Sequence, residues 1–100
     1  FTAPVSGRYL LQVAVTTGEN TAAHTDGTLE LITSNRTASA FYDPGAMEGS
    51  ASTGLCTIQC SGVFDMDAAD TATTKLRIYG STKTIDISAN NTFFSAALIA

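Results

Sequence analysis

Two cysteines and one histidine are the residues of this chain with the most specific chemistry. Cys56 and Cys60 lie four positions apart in an alternating segment, and His24 lies in a polar stretch. Residues four apart on one strand are separated by about 13 Å, beyond the roughly 7 Å that a disulfide allows between α-carbons. Both cysteines fall on the apolar side of their segment, where a free thiol behaves as a small hydrophobic group. We predict two buried structural thiols, with an intersubunit disulfide as the alternative.

A catalytic role for these residues is not supported by their spacing. A Cys–His nucleophile pair would need the loop around His24 to reach the core face of another strand, where cysteines are inert. Two cysteines and one histidine, with no Cys-x-x-Cys pair, do not provide a tetrahedral zinc site. The sequence also has no Gly-x-Ser-x-Gly or His-Glu-x-x-His motif. We expect a solvated loop histidine and a protein that is not an enzyme and has no cofactor.

Three aspartates form an Asp-x-Asp-x-x-Asp cluster at Asp65, Asp67 and Asp70. Calcium prefers oxygen ligands from a flexible loop, so this cluster is a candidate calcium site. The segment lacks the glycine and the later glutamate of a helix-loop-helix calcium site, and aspartate is common in turns for its own hydrogen bonding. We predict a turn that favours aspartate, with calcium binding as the alternative.

The composition limits the classes of function. The chain has 100 residues, a formal charge of −4 and 44% hydrophobic residues, which is sufficient for one core. It has no basic surface for nucleic acid and no apolar run near the roughly 20 residues that span a bilayer. We expect one domain over residues 1–100 that neither binds nucleic acid nor inserts into a membrane. The first residue is Phe1, which we interpret as the start of a mature product or of a fragment.

Alternation of apolar and polar residues predicts β-strands. The odd positions of 9–16 and the even positions of 55–66 are mainly apolar, and Leu76 and Ile78 alternate with polar residues over 74–79. Shorter alternating runs occupy 28–33 and 85–87, and turn residues such as glycine, proline and aspartate separate the runs. This spacing of short strands predicts an all-β, antiparallel sandwich or barrel.

The last segment, 92–100, is apolar on both faces of a strand. One face carries Phe93, Ala97 and Ile99, and the other carries Phe94, Ala96 and Leu98. A strand of an antiparallel sandwich commonly turns one face to water, so both faces of this strand need a cover. Two explanations are possible: a loop of the same chain covers one face, or another subunit does. We favour the contact with another subunit.

Both ends of the chain resemble one family. The opening F-T-A-P-V-S-G-R-Y resembles the F-T-A-P-x-x-G-x-Y segment of the globular complement C1q domain, and residues 92–99 are similar to the family's terminal strand. Residues 67–70 resemble the family's L-x-x-G-D turn. Ala69 and Ala96 stand where the family usually has glycine.

The resemblance implies an antiparallel jelly-roll sandwich of the C1q and tumour necrosis factor superfamily, assembled as a homotrimer. In that family the strands matching 9–16, 55–66 and 93–99 belong to the sheet that lines the trimer contact. The predicted interface residues are Tyr9, Leu11, Phe93, Phe94, Ala97 and Ile99. The family motif follows one or two earlier strands, so we expect the C-terminal head of a longer protein that lacks those strands here.

The favoured hypothesis is a non-enzymatic trimeric head of a viral or phage fibre, or of a surface protein. It would bind a receptor or host surface, either protein or glycan, and stabilise the trimer, with an extracellular location on a virion or cell surface. Loops 18–26 and 43–53 are the candidate contact loops because they are long and polar. Their candidate ligand residues are Glu19, Asn20, His24, Asp43 and Glu48.

Two alternatives stay open. One is a purely structural trimerisation cap of a fibre that touches no receptor. The other is a secreted animal C1q-domain protein of immunity or signalling, for which the glycosylation patterns at Asn35 and Asn90 would matter.

Overall fold

Seven β-strands build the protein in the computed structural model, which describes residues 1–47, 55–80 and 85–100. The strands are β1 (Gly7–Gly18), β2 (Asp26–Thr33), β3 (Thr37–Tyr42), β4 (Cys56–Met66), β5 (Ala72–Tyr79), β6 (Asp86–Ile87) and β7 (Phe93–Leu98). Two short 3₁₀ turns, Pro44–Met47 and Ala89–Asn91, are the helical elements of the described residues. The predicted all-β class is confirmed.

The first sheet has β1 at its centre. β4 pairs antiparallel with one side of β1, and β7 and the short β6 pair with the other side. Tyr9 lies opposite Phe64 on one neighbour and Leu98 on the other, so the apolar positions of the strands share one face. The alternation predicted for 9–16 and 55–66 is therefore confirmed, because it places the odd residues of β1 and the even residues of β4 toward the core.

The second sheet has the strand order β3-β2-β5, with both pairs antiparallel. Leu29 and Leu31 of β2 are fully buried, and the inward residues of β3 opposite them are Ala40 and Ala38. β3 was not predicted from the sequence. Its inward residues are small alanines and its largest apolar residue, Phe41, points outward, so its pattern does not show a clear apolar face.

The core lies between the two sheets, where β4 passes over β2 and β3. The buried hydrophobic cluster draws on both sheets and on the opening segment: Ala3, Tyr9, Leu11, Val13, Val15, Leu29, Leu31, Cys60, Phe64, Met66 and Ala72. The molecule is an antiparallel β-sandwich, which confirms the coarse prediction of fold class.

The opening segment ties the sheets together. The Ala3 N–H donates to the Asp70 carbonyl at 2.8 Å, and the Ala69 N–H donates back to the Ala3 carbonyl at 2.8 Å. The ring of Phe1 packs edge-on against Tyr9 with centroids 5.6 Å apart, and the Tyr9 hydroxyl donates to the Val5 carbonyl at 2.6 Å. The opening segment therefore links the turn before β5 to the start of β1.

One flank of the sandwich is less covered than the other. Among the described strands, β7 pairs only with β1 and β5 pairs only with β2, apart from an isolated bridge between Thr2 and Thr71. Leu98 lies opposite the buried Tyr9 yet is 52% exposed. The β5 and β7 edges thus leave part of the inward surface open within the part of the chain that the structure describes.

Candidate functional site

The outer face of the first sheet carries exposed apolar residues at the predicted subunit contact. We use this name for the outward side chains of β4, β1 and β7. Leu10 lies between Val63 and Ala97 in one row of this face, and Ala14 lies between Gln59 and Phe93 in another. Phe93 is 55% exposed and Val63 is 47% exposed. The sheet therefore presents one apolar row, Val63–Leu10–Ala97, and the exposed Phe93. The polar row Ser61–Gln12–Ser95 separates the two.

Three of the predicted interface residues lie on or next to this face. Phe93 and Ala97 are exposed on β7, and Ile99, just after the strand, is also exposed. The Ile99 N–H donates to the Arg8 carbonyl at 2.8 Å, which holds the chain end beside β1. Both faces of the last strand are apolar, as predicted, since Phe94 and Ala96 on the other face pack against the core cluster. A subunit contact on the exposed side stays a prediction.

The other three predicted interface residues lie elsewhere. Tyr9 and Leu11 are 2% and 0% exposed in the core of one chain. Phe94 is half-buried on the same inward side. The odd positions of β1 and the even positions of β7 face the second sheet, so Tyr9 and Leu11 have almost no surface left for another subunit. A subunit contact at the half-buried Phe94 stays a prediction.

The predicted ligand residues of the first loop are only in part available. Glu19 is exposed and has a positive φ of 59°. Asn20 and His24 are 3% and 2% exposed, so the prediction of a solvated loop histidine is wrong. In the second loop, Asp43 is exposed, and its carboxylate accepts a hydrogen bond from the Gly45 N–H at 2.9 Å. Glu48, also a candidate, lies outside the described residues.

Local hydrogen bonds hold the buried side chains of Asn20 and His24 within an otherwise exposed loop. Asn20 donates from Nδ2 to the Thr17 hydroxyl at 2.9 Å. The Thr21 N–H donates to His24 Nδ1 at 3.0 Å, so the ring proton belongs on Nε2. His24 Nε2 is buried and has no hydrogen-bond partner in the described structure. The loop thus encloses the Asn20 and His24 side chains. Of its three candidate ligand residues, Glu19 is the one that is exposed.

The aspartate cluster forms a hydrogen-bonded turn. Asp70 accepts at Oδ2 from the Asp67 N–H at 2.9 Å and from Asn35 Nδ2 at 3.1 Å. Asp65 lies on the outward face of β4 and forms an exposed ion pair with Arg8 at 3.3 Å. These contacts support the prediction of a turn that favours aspartate. Among the described residues no group of three acidic, histidine or cysteine side chains is arranged to hold a metal ion.

The two cysteines are free and lie on the inward face of β4. Cys60 is buried opposite Val13, and Cys56 is half-buried opposite Thr17. Burial raises the pKa of both thiols. The predicted absence of a disulfide between them is confirmed, and a protonated thiol on a core face has little nucleophilic character at neutral pH.

A groove on the outer face of the second sheet was not predicted. This second-sheet groove has a volume of about 500 Å³, and its main lining residues are Asp26, Thr28, Glu30, Phe41, Arg77 and Tyr79. Phe41 and Arg77 pair with Thr28 from opposite sides, so they stand two strand spacings, or about 10 Å, apart. The small Thr28 side chain forms the floor between the two larger side chains.

The polar groups of this groove are ordered by one ion pair. Arg77 Nε donates to Glu30 Oε1 at 2.8 Å, and the Glu30 side chain is only 16% exposed. A hydrogen bond with Tyr79 and the charge of Glu30 raise the pKa of Arg77. The guanidinium group is therefore positioned between a carboxylate and a phenol on the surface of the sheet.

The sequence predicts one side of this groove, the polar face of β5. Lys75, Arg77 and Tyr79 were predicted to form the polar face of their strand, and the structure confirms that they are exposed. Without β3, the sequence could not place Phe41 beside them. Strand order, which depends on long-range pairing, brings these residues to one surface.

No helix in the described part of the chain is long and apolar enough to cross a membrane. Comparison of the sequence with models of protein families and with curated proteins gave no match.

Proposed function

We propose that this chain is a non-enzymatic head of the C1q-like jelly-roll type that forms a homotrimer on a viral or phage fibre or a surface protein. It would bind a cell-surface receptor and stabilise the trimer. The outer face of the first sheet carries this proposal, because it exposes apolar side chains at two places, Phe93 in one row and Val63, Leu10 and Ala97 in another. Exposed apolar patches of this kind are typical of protein contacts.

The strand arrangement supports the jelly-roll part of the proposal. The connections β1–β2, β3–β4 and β4–β5 each pass from one sheet to the other, while β2 and β3 form a hairpin within one sheet. Such crossings between two antiparallel sheets are typical of jelly rolls. The open edges of β5 and β7 would accept the earlier strands that the family has.

The oligomeric state tests the proposal. Light scattering after size exclusion of the full-length protein that contains this chain should give the mass of a trimer. Phe93→Glu should shift it to a monomer, because an unpaired carboxylate in an apolar contact loses its hydration. The control is Thr73→Glu, an exposed position on the outer face of the second sheet. A monomeric wild-type protein, or a Phe93→Glu trimer, would contradict the proposed contact.

A purely structural trimerisation cap is the second candidate. The burial of Asn20 and His24 favours it, because two of the candidate ligand residues are withdrawn from the surface. In this case, exchange of loops 18–26 and 43–53 for unrelated sequences should leave both the trimer and attachment to cells intact. Loss of attachment with the trimer intact would favour the receptor-binding head.

A further inference from the structure

Phe41 lies in a position that the fold does not explain. It is 75% exposed, more than any other large apolar side chain of the described residues. The inward residues of β3 that pack against the core cluster are Ala38 and Ala40. Phe41 thus presents a flat apolar ring to solvent beside the second-sheet groove.

The polar groups opposite this ring are suited to hydroxyl groups. Arg77 uses Nε for Glu30, and a guanidinium group has further N–H donors. Glu30, which is largely buried and held by this pair, has a second oxygen that can accept. A hydroxyl group both donates and accepts, so adjacent hydroxyls can bridge a neighbouring donor and acceptor. The Thr28 and Ser39 side chains add two hydroxyls to the groove.

The charges of the groove favour a neutral ligand. Arg77 is already matched by Glu30, and two further charged residues of this outer face, Asp26 in the groove and Lys75 opposite Glu30, have opposite charges. The face therefore has no excess charge that would attract an ionic ligand, and a cationic ligand would compete with Arg77 for Glu30. The groove is open to solvent along the sheet, so it would contact a ligand on one face.

We propose that the second-sheet groove binds a neutral hexopyranose ring of a glycan, with the apolar face of the sugar on Phe41 and its hydroxyls on Arg77 and Glu30. This inference rests on the receptor-binding role proposed above and names its ligand class. The site lies on the outer face of the second sheet. Asp26, which lines the groove, is the first residue of β2 and follows the loop before that strand.

Variants of Phe41 distinguish the contribution of an aromatic ring to binding from the contribution of an apolar side chain of any shape. We would probe the full-length protein with an array of neutral oligosaccharides ending in glucose, galactose, mannose or N-acetylglucosamine. Phe41→Leu should weaken binding by at least about fivefold, the order expected for loss of an aromatic contact, whereas Phe41→Tyr should bind like the wild type. Arg77→Met should also weaken binding. Thr73→Ala, exposed outside the groove, is the control.

Saturation-transfer NMR with the free monosaccharide provides a second readout, since the sugar protons nearest Phe41 should receive the most magnetisation. Equal binding by Phe41→Leu and Phe41→Tyr, or no binding of any neutral saccharide, would overturn the inference. A trimer that binds no saccharide overturns this inference alone. A monomer that binds saccharide overturns the trimeric head but leaves the groove assignment standing.

Discussion

Ala69 has a backbone conformation that alanine rarely adopts. Its φ is 76°, in the turn between β4 and β5, where its N–H donates to the Ala3 carbonyl at 2.8 Å. A left-handed conformation brings the β-carbon of an L-residue close to backbone oxygen, and glycine avoids this contact. The positive φ is a physical reason to expect glycine to be preferred at this position.

Ala69→Gly should therefore stabilise the protein, by about 0.5–1 kcal/mol, because relief of strain exceeds the entropy that glycine adds to the unfolded chain. Ala68→Gly is the matched control in the same turn, since Ala68 is not among the residues with positive φ. The control should lose stability by a similar amount. Chemical denaturation of both variants measures the two changes, and a destabilised Ala69→Gly would disprove the strain argument.

At the scale of elements, β2 is fixed by close contacts with both neighbours. Gly27 lies opposite Tyr42 of β3 and Ile78 of β5. A β-carbon at this position would overlap the Tyr42 ring, whose atoms cannot move away as the end of a flexible chain could. The absence of a side chain at Gly27 thus determines how closely β2 and β3 pack at this end.

Gly27→Ala should destabilise the protein by about 1–3 kcal/mol through overpacking. If the Tyr42 ring is the cause, the double variant Gly27→Ala/Tyr42→Ala should lose less stability than the sum of the two single variants. Urea unfolding of the four proteins in this cycle gives the coupling energy. Additive losses would show that the clash with Tyr42 is not the reason.

The strands differ in whether the sequence alone could predict them. β1, β4 and β5 were predicted because their large apolar residues recur at every second position and face one core. β3 was missed because Ala38 and Ala40 provide its inward face while Phe41 points to solvent. Alternation identifies a strand only when the inward residues are larger and more apolar than the outward ones.

At the scale of the whole molecule, titratable groups inside the sandwich link stability to pH. Burial raises the pKa of Tyr42 above its ordinary 10.0 and of Cys56 and Cys60 above their ordinary 9.0. The unfolded chain then loses these protons at a lower pH than the folded chain does. The stability that these groups contribute is fully present while the pH is below their ordinary pKa values, and it is lost as the pH rises above those pKa values.

The wild-type free energy of unfolding should therefore fall as the pH rises from about 9 upward, with reducing agent present. In the double variant Cys56→Ala/Cys60→Ala, the free energy of unfolding should begin to fall at a higher pH, near 10.0, which is the ordinary pKa of Tyr42. Denaturant titrations between neutral pH and pH 11 measure both curves. Identical pH profiles for the two proteins would show that thiol ionisation does not contribute.

The sequence by itself determined the β class, the inward faces of β1, β4 and β5, and the two apolar faces of the last strand. These follow from side-chain alternation, which is a local property of the chain. Only the tertiary structure decided that His24 is buried, that the second sheet covers Tyr9 and Leu11, and that Phe41 and Arg77 share a groove. Burial and strand order depend on contacts between residues far apart in the chain, and no local pattern specifies those contacts.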